Sequence, residues 1–198
     1  LEVGGGVLNE LSYQQARNHG VRVKGVYVAS TGYMLDRARV PDSAVITEIA
    51  GVEVATLQSA QDAFAALPDG QPFTLRYFDL GSAQRTHLAV AVMDRKWFPM
   101  RACLRDDATG SWPCVDAPPP PVAALRPTQG TTGRPARDAR TRRLANALVT
   151  VDFFVPFKAE GVHGPRFRGT GLVVDAEAGL VVVDRDTVPI APGDARII

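Results

Sequence analysis

The sequence has 198 residues and a formal net charge of +1 at neutral pH; 45% of it is hydrophobic and 22% charged. That length suits one or two domains. The near-balance of charge excludes a global pull toward nucleic acid or a membrane surface, and no apolar run approaches the ~20 residues that a membrane span needs. No leader segment is visible, and the chain starts and stops inside β-type runs, so it reads as an excised fragment.

Residues 1–8 (LEVGGGVL) place three glycines ahead of an apolar run. Glycine tolerates positive φ and lets backbone approach a ligand closely. Successive N–H groups in such a turn form an anion-binding concavity; a flexible turn between strands is the other reading. Ser12 predicts an N-cap with Gln15 as its capping-box partner, and a short helix ending near Gly20. Residues 25–28 are an apolar β run, 30–33 a turn, and 34–40 a brief helix stopped ahead of Pro41.

A second strand is expected over 44–49, ended by Gly51. An amphipathic helix over 56–67 carries Leu57, Ala60, Phe64 and Leu67 on one face. Pro68-Asp69-Gly70 stops it, and a third strand follows over 73–78. Residues 88–93 alternate as a last strand, with His87 an exposed strand-end residue. In 94–100 (DRKWFPM), two aromatics beside charges are expected to pack the carboxy end back onto the domain.

The order of these features carries a resemblance. An apolar strand is followed by Val40-Pro41-Asp42-Ser43-Ala44-Val45-Ile46, a helix containing Leu57, Ala60, Phe64 and Leu67, a Pro-x-Gly stop and a further strand. This resembles a PDZ domain of the HtrA/Deg serine-protease type, in its divergent multi-PDZ branch, over residues 1–102. One departure is that Asp42-Ser43 stands where the family usually has Gly-Asp. The resemblance implies an α+β PDZ fold, a small β-barrel or sandwich with two helices. It puts Gly4, Gly5, Gly6 and Val7 at the family's carboxylate-binding loop. Val7 and Leu8 then open the strand that accepts a peptide as an extra strand. Ala60 and Phe64 become the helix wall of the groove, with plain core as their equal alternative.

Residues 103–143 change character. Turn chemistry fills 106–111, and Pro118 to Pro121 form a stiff polyproline spacer. Residues 128–143 are rich in Gly, Thr, Arg and Asp without an apolar period. The stretch is expected to be a Pro/Arg-rich linker, disordered over 116–140. Cys103 and Cys114 have ten residues between them. A disulfide there would stabilise by roughly 3 kcal/mol; two unlinked thiols are the alternative. Zinc, which takes four ligands, finds too few nearby.

Residues 144–157 form one long β-type run. Gly169-Thr170-Gly171 and then Gly179-Leu180-Val181-Val182 follow. This resembles the start of a trypsin-like domain of the same family, covering 144–198, with the family's histidine position falling on Asp186. A carboxylate is a far weaker base at neutral pH than the imidazole a Ser–His–Asp triad requires. No Gly-x-Ser-Gly-Gly segment exists, and His19, His87 and His163 fall elsewhere. The segment is thus expected to be a degenerate, partial all-β domain with open edges. Asp184 and Asp186, two apart, also raise a metal reading, outweighed by that of a solvated strand-end pair.

The resemblance implies a C-terminus-recognising, regulatory fragment of an HtrA/Deg-like serine endopeptidase in proteolysis and protein quality control. Its partners would be peptide or protein C-termini, unfolded protein substrates, the parent's other domains and a second copy of itself, with no cofactor and no nucleic acid. The setting implied is bacterial, by family periplasmic. A structural or oligomerising PDZ-like spacer without ligand binding is the alternative.

Overall fold

The computed structural model describes residues 1–121, 138–157 and 160–198, in two compact units, Leu1–Leu125 and Arg126–Ile198. Most of the expected disordered stretch, residues 122–137, lies outside the described residues.

The first unit runs β1 (Glu2–Val3), β2 (Gly6–Glu10), α1 (Tyr13–His19), β3 (Val26–Ser30), α2 (Gly32–Arg37), β4 (Ala44–Ile49), β5 (Val52–Glu53), α3 (Leu57–Ala65), β6 (Pro72–Asp79), β7 (Thr86–Val92), β8 (Arg101–Cys103) and β9 (Cys114–Asp116). The strands form one antiparallel sheet in the order β7-β6-β4-β3-β2-β1-β8-β9, with β5 beside β4. The fold is PDZ-like and mixes helix with sheet; it holds the three helices read element by element, where the resemblance implied two.

Local chemistry sets most of these boundaries. The Ser12 hydroxyl accepts the Gln15 N–H at 3.2 Å, and the Gln15 amide oxygen accepts the Ser12 N–H at 3.3 Å, so the expected capping box starts α1. Gly20, at φ +65°, ends it. Thr56 and Ser59 cap α3 in the same reciprocal way. At the other end of α3 the buried Arg95 guanidinium donates to the carbonyls of Phe64 and Leu67 and to Asp69. Carbonyls left open by the last helical turn are thus satisfied by a cation, the sign that end favours. Leu8, Val26, Val28, Ile46, Ile49, Phe64, Leu75 and Met93 are fully buried between the sheet and α3.

Two expectations for this unit are corrected. Helix α2 begins at Gly32, two residues before the expected start, because the Gly4 carbonyl accepts the N–H groups of both Tyr33 and Met34. Residues just past 102, expected to open a linker, continue the sheet instead. Strands β8 and β9 pair Arg101 with Asp116 and Cys103 with Cys114, β8 joins β1 at Glu2, and the two cysteines form a disulfide. Of the pair Asp42-Ser43, it is Ser43 that takes the left-handed conformation, at φ +70°.

The second unit holds α4 (Ala139–Ala147), β10 (Leu148–Phe154), β11 (Arg166–Asp175), β12 (Leu180–Val182) and β13 (Asp194–Ile197), with antiparallel strands ordered β12-β11-β10-β13. The long β run expected over 144–157 is shorter than that, because its first four residues are helical. Asp138 accepts the Thr141 N–H at 2.8 Å and caps α4. Arginine, alanine and leucine, good helix formers, make up most of the helix. The helix lacks an apolar stripe, which is why periodicity did not find it. In β10, Asp152 is only 2% exposed and takes bonds from Arg166 and from two nitrogens of Arg168. Those guanidiniums hold its carboxyl down at about 2.

Two outcomes follow. Ser43→Gly is expected to stabilise the first unit by about 0.5 kcal/mol, since a non-glycine residue at positive φ is strained; thermal denaturation checks it. Asp152 binds its proton less tightly folded than unfolded. Its contribution is therefore complete above pH ~4 and lost as the pH falls through about 2. An acid titration followed by far-UV circular dichroism should show that loss, and Asp152→Asn should remove its share of the slope.

Candidate functional site

The three glycines do not form an open loop. Val3 pairs with Gly6, and Gly4 and Gly5, at φ +55° and +77°, are the two central residues of a tight hairpin turn. Positive φ at both positions is the type I′ pattern, which suits the twist of the flanking strands. The turn lies directly on the start of α2. A Cβ on Gly32 would overlap the Gly5 backbone, and one on Gly6 would lie 2.7 Å from the Thr31 carbonyl oxygen. The Gly4 carbonyl takes the first amides of α2, Tyr33 at 3.0 Å and Met34 at 2.9 Å. The positive end of that helix therefore faces a carbonyl of the hairpin.

Phe98 completes the arrangement. Its ring lies against Gly5, 2.9 Å from where a Cβ would stand, and tilts beside Tyr33 at a centroid distance of 6.3 Å. The aromatic segment 94–100 thus folds back onto the domain as expected, with Met100 buried in the core. Sequence reading did not foresee that Phe98 would meet the triglycine turn.

The edge of β2 is the second part of the site. On one side β2 pairs with β3, matching Leu8 to Val28 and Glu10 to Val26. On the other side it pairs with β1, matching Val7 to Glu2 and Gly6 to Val3. The ladder extends one residue further: the Leu8 N–H donates to the Leu1 carbonyl at 2.8 Å, and the Leu1 nitrogen donates to the Leu8 carbonyl at 2.9 Å. Leu1 and Val3 are 5% and 0% exposed, in the same core cluster as Leu8, Ala60, Phe64 and Met100. The outer side of β1 carries β8, where Arg101 Nε donates to Glu2 at 2.6 Å. That carboxylate raises the Arg101 guanidinium above its ordinary range.

Sequence-predicted residues fall accordingly. Gly4 and Gly6 are buried, Gly5 is half-buried and Val7 is exposed. Leu8, Ala60 and Phe64 are all fully buried, the last T-stacked on Phe73 at 6.0 Å. Gly4 to Leu8 are thus brought together as hairpin and strand, and Ala60 and Phe64 meet Leu8 as core.

In the second unit Asp186 is exposed, in the turn after β12. Asp184 forms that turn, accepting the Thr187 N–H at 2.6 Å, a bond that holds its carboxyl below the usual range. Thr187 is buried against Gly169, at a point where a Cβ would collide with its hydroxyl. Gly171 packs in the same way against Val151 and Val181. His87 stacks on Tyr77 at 5.3 Å in the first unit, and His163 lines an apolar pocket with Val155, Phe157 and Pro165. Among the described residues, one group of His, Cys, Asp or Glu has donor atoms close enough for a metal ion: Glu2, Cys103 and Cys114, both of whose sulfurs are in the disulfide.

Residues 1–70 match the family model for a PDZ-like domain. The chain is 33% identical over 200 residues to the pro-apoptotic serine protease NMA111 of Yarrowia lipolytica, covering 96% of this chain. It is 31% identical to the same-named protein of Aspergillus clavatus across 100% of this chain, and 33% identical to that of Pyricularia oryzae across 96%. The chain spans about a fifth of the length of these relatives. All three are fungal, which corrects the bacterial setting that the resemblance implied.

Gly32→Ala should be among the most damaging single changes in the first unit. It forces a Cβ into the Gly5 backbone at positive φ, and a loss of about 3 kcal/mol is expected. Urea denaturation checks it, with Gly20→Ala, which meets nothing within 4 Å, as the milder comparison.

Proposed function

We propose a function for a chain that belongs to the HtrA type of serine protease, with a PDZ-like domain as its first unit. That unit is a regulatory peptide-recognition module whose strand-accepting edge is held closed by its own β1. The observation that carries this reading is the reciprocal backbone pairing of Leu1 with Leu8. PDZ domains take a peptide as an added strand, with main-chain bonds giving affinity and side-chain pockets giving specificity. Here β1 supplies the added strand, and Leu1 and Val3 fill the apolar space beside α3. Strand and turn belong to one chain, so the local concentration of β1 is very high, on the order of millimolar or above. A peptide C-terminus of micromolar intrinsic affinity, about −8 kcal/mol, binds in proportion to the fraction of molecules from which β1 has left.

Carboxylate capture at Gly4, Gly5 and Gly6 belongs to this open form, because in the closed form the Gly4 carbonyl caps α2. The second unit is the start of a degenerate trypsin-like domain. Support comes from Gly169-Thr170-Gly171 on β11, the neighbouring strand β12, and the turn that carries Asp186 in the family's histidine position. Peptide hydrolysis then falls to another part of the parent, and this chain serves its proteolysis and quality control of misfolded protein by recognition. The structural or oligomerising spacer is the second reading. A permanently filled β2 edge favours it.

Fluorescence anisotropy separates the two. A hydrophobic-ended peptide is titrated, as free acid and as amide, into the whole chain and into a variant lacking residues 1–3. The regulatory module predicts weak binding to the whole chain, at least tenfold tighter binding to the variant, and preference for the free acid. Equal, negligible binding of acid and amide to both proteins would establish the spacer.

A further inference from the structure

We propose that the Cys103–Cys114 disulfide is a reducible latch on β1: a dithiol reductant opens it, and β1 then leaves the β2 edge. The inference rests on the regulatory reading above and supplies the event that changes the fraction open.

The topology makes the case. Strands β2, β1, β8 and β9 lie side by side, so whatever holds β8 in place also holds β1 from its outer side. Strand β1 has two residues, and β8 and β9 have three each. Strands this short do not persist on backbone pairing alone. Apolar burial seats β1 through Leu1 and Val3 but gives the outer pair little support: β9 is exposed throughout, and Leu104, Trp112 and Val115 of the hairpin are solvent-exposed. The cross-link at the directly opposed pair Cys103 and Cys114 ties β8 to β9 across the ladder. The Glu2–Arg101 ion pair passes that support to β1, but it is half exposed and so contributes modestly. Met100, just before β8, is buried in the core and its carbonyl accepts the Ala117 N–H. That anchor keeps the base of the hairpin in place, so the opening stays local.

The two sulfurs differ in access. Cys114 is exposed, while Cys103 is half-buried with its sulfur 4.0 Å from Glu2 Oε1. A reductant thiolate attacks the Cys114 sulfur and forms a mixed disulfide. The S–S bond breaks, and its electron pair leaves on the Cys103 sulfur, which takes a proton from water. The second thiolate of the reductant then displaces Cys114, which is protonated in turn. The protein gains two electrons and two protons, and the reductant leaves as its own cyclic disulfide. The neighbouring Glu2 carboxylate disfavours a Cys103 thiolate, the form needed to close the bond again. Reduction thus yields a neutral thiol that donates to Glu2, in a hairpin no longer cross-linked between β8 and β9.

Hydrogen exchange followed by mass spectrometry on the whole chain tests this in three states: oxidised, reduced with dithiothreitol, and as the double variant Cys103→Ser, Cys114→Ser, all with a chelator present. Alkylation of both thiols only after reduction verifies the redox state. The latch predicts that exchange across residues 6–8, whose Leu8 amide donates to Leu1, rises at least about tenfold in the reduced chain and in the variant. Protection of β4 and β6 stays unchanged. Unchanged exchange at residues 6–8 overturns the proposal. So does loss of protection throughout the sheet, which would make the disulfide a support of the whole fold. The readout needs no peptide. If residues 6–8 open on reduction while free-acid peptide still fails to bind, the latch stands and the peptide-recognition reading falls.

Discussion

Two backbones meet without side chains between them where Gly5 faces Gly32, and the first unit is arranged around that contact. It holds the β1–β2 turn on the amino end of α2 and lets the Gly4 carbonyl collect the two amides that start the helix. A turn fixed in that position has one direction in which to send β1, back along β2. From this follow the burial of Leu1 and Val3 beside Leu8, the seat for β8 at Glu2, and the continuation of the sheet into β9. Phe98 closes over the same point from the carboxy-terminal side of the domain. Side chains of any size at Gly4, Gly5 or Gly32 would push these parts away from one another.

The consequence for recognition is competition. A PDZ-like sheet offers an edge for an extended peptide, and main-chain hydrogen bonds supply much of the affinity. When an internal strand already makes those bonds, an incoming peptide gains only the difference between its contacts and those it displaces. The site then responds less to the ligand's own affinity than to whatever sets the population of the displaced strand. From outside, β1 is held by one short ladder to β8 and one ion pair, and from within by the burial of Leu1 and Val3.

The second unit repeats the use of glycine for close approach. Gly169 gives way to Thr187, and Gly171 lets Val149, Val151 and Val181 close over β11. The Asp184–Thr187 turn is thereby seated against the sheet while Asp186 points away into solvent. Asp152, between Arg166 and Arg168, ties β10 to β11 through charge. Its burial is tolerable because three guanidinium bonds replace the water that it lost.

The sequence alone determined what depends on neighbours along the chain. The Ser12–Gln15 capping box, the apolar face of α3 and its stop at Pro68-Asp69-Gly70, and the runs that became β3, β4, β6 and β7 are local patterns, and each appears close to its expected bounds. The order of those elements was enough to indicate a PDZ-like domain of the HtrA type. Tertiary structure decided what depends on residues far apart in sequence. No local pattern shows that Gly5 meets Gly32 and Phe98, that Leu1 pairs with Leu8, or that Cys103 and Cys114 close a hairpin added to the sheet beyond residue 102. Helix α4 escaped because a helix made mostly of arginine, alanine and polar residues carries no apolar period. The three glycines announced a close approach but not its partner. A missing side chain marks where something must fit, and only the folded chain supplies what fits there.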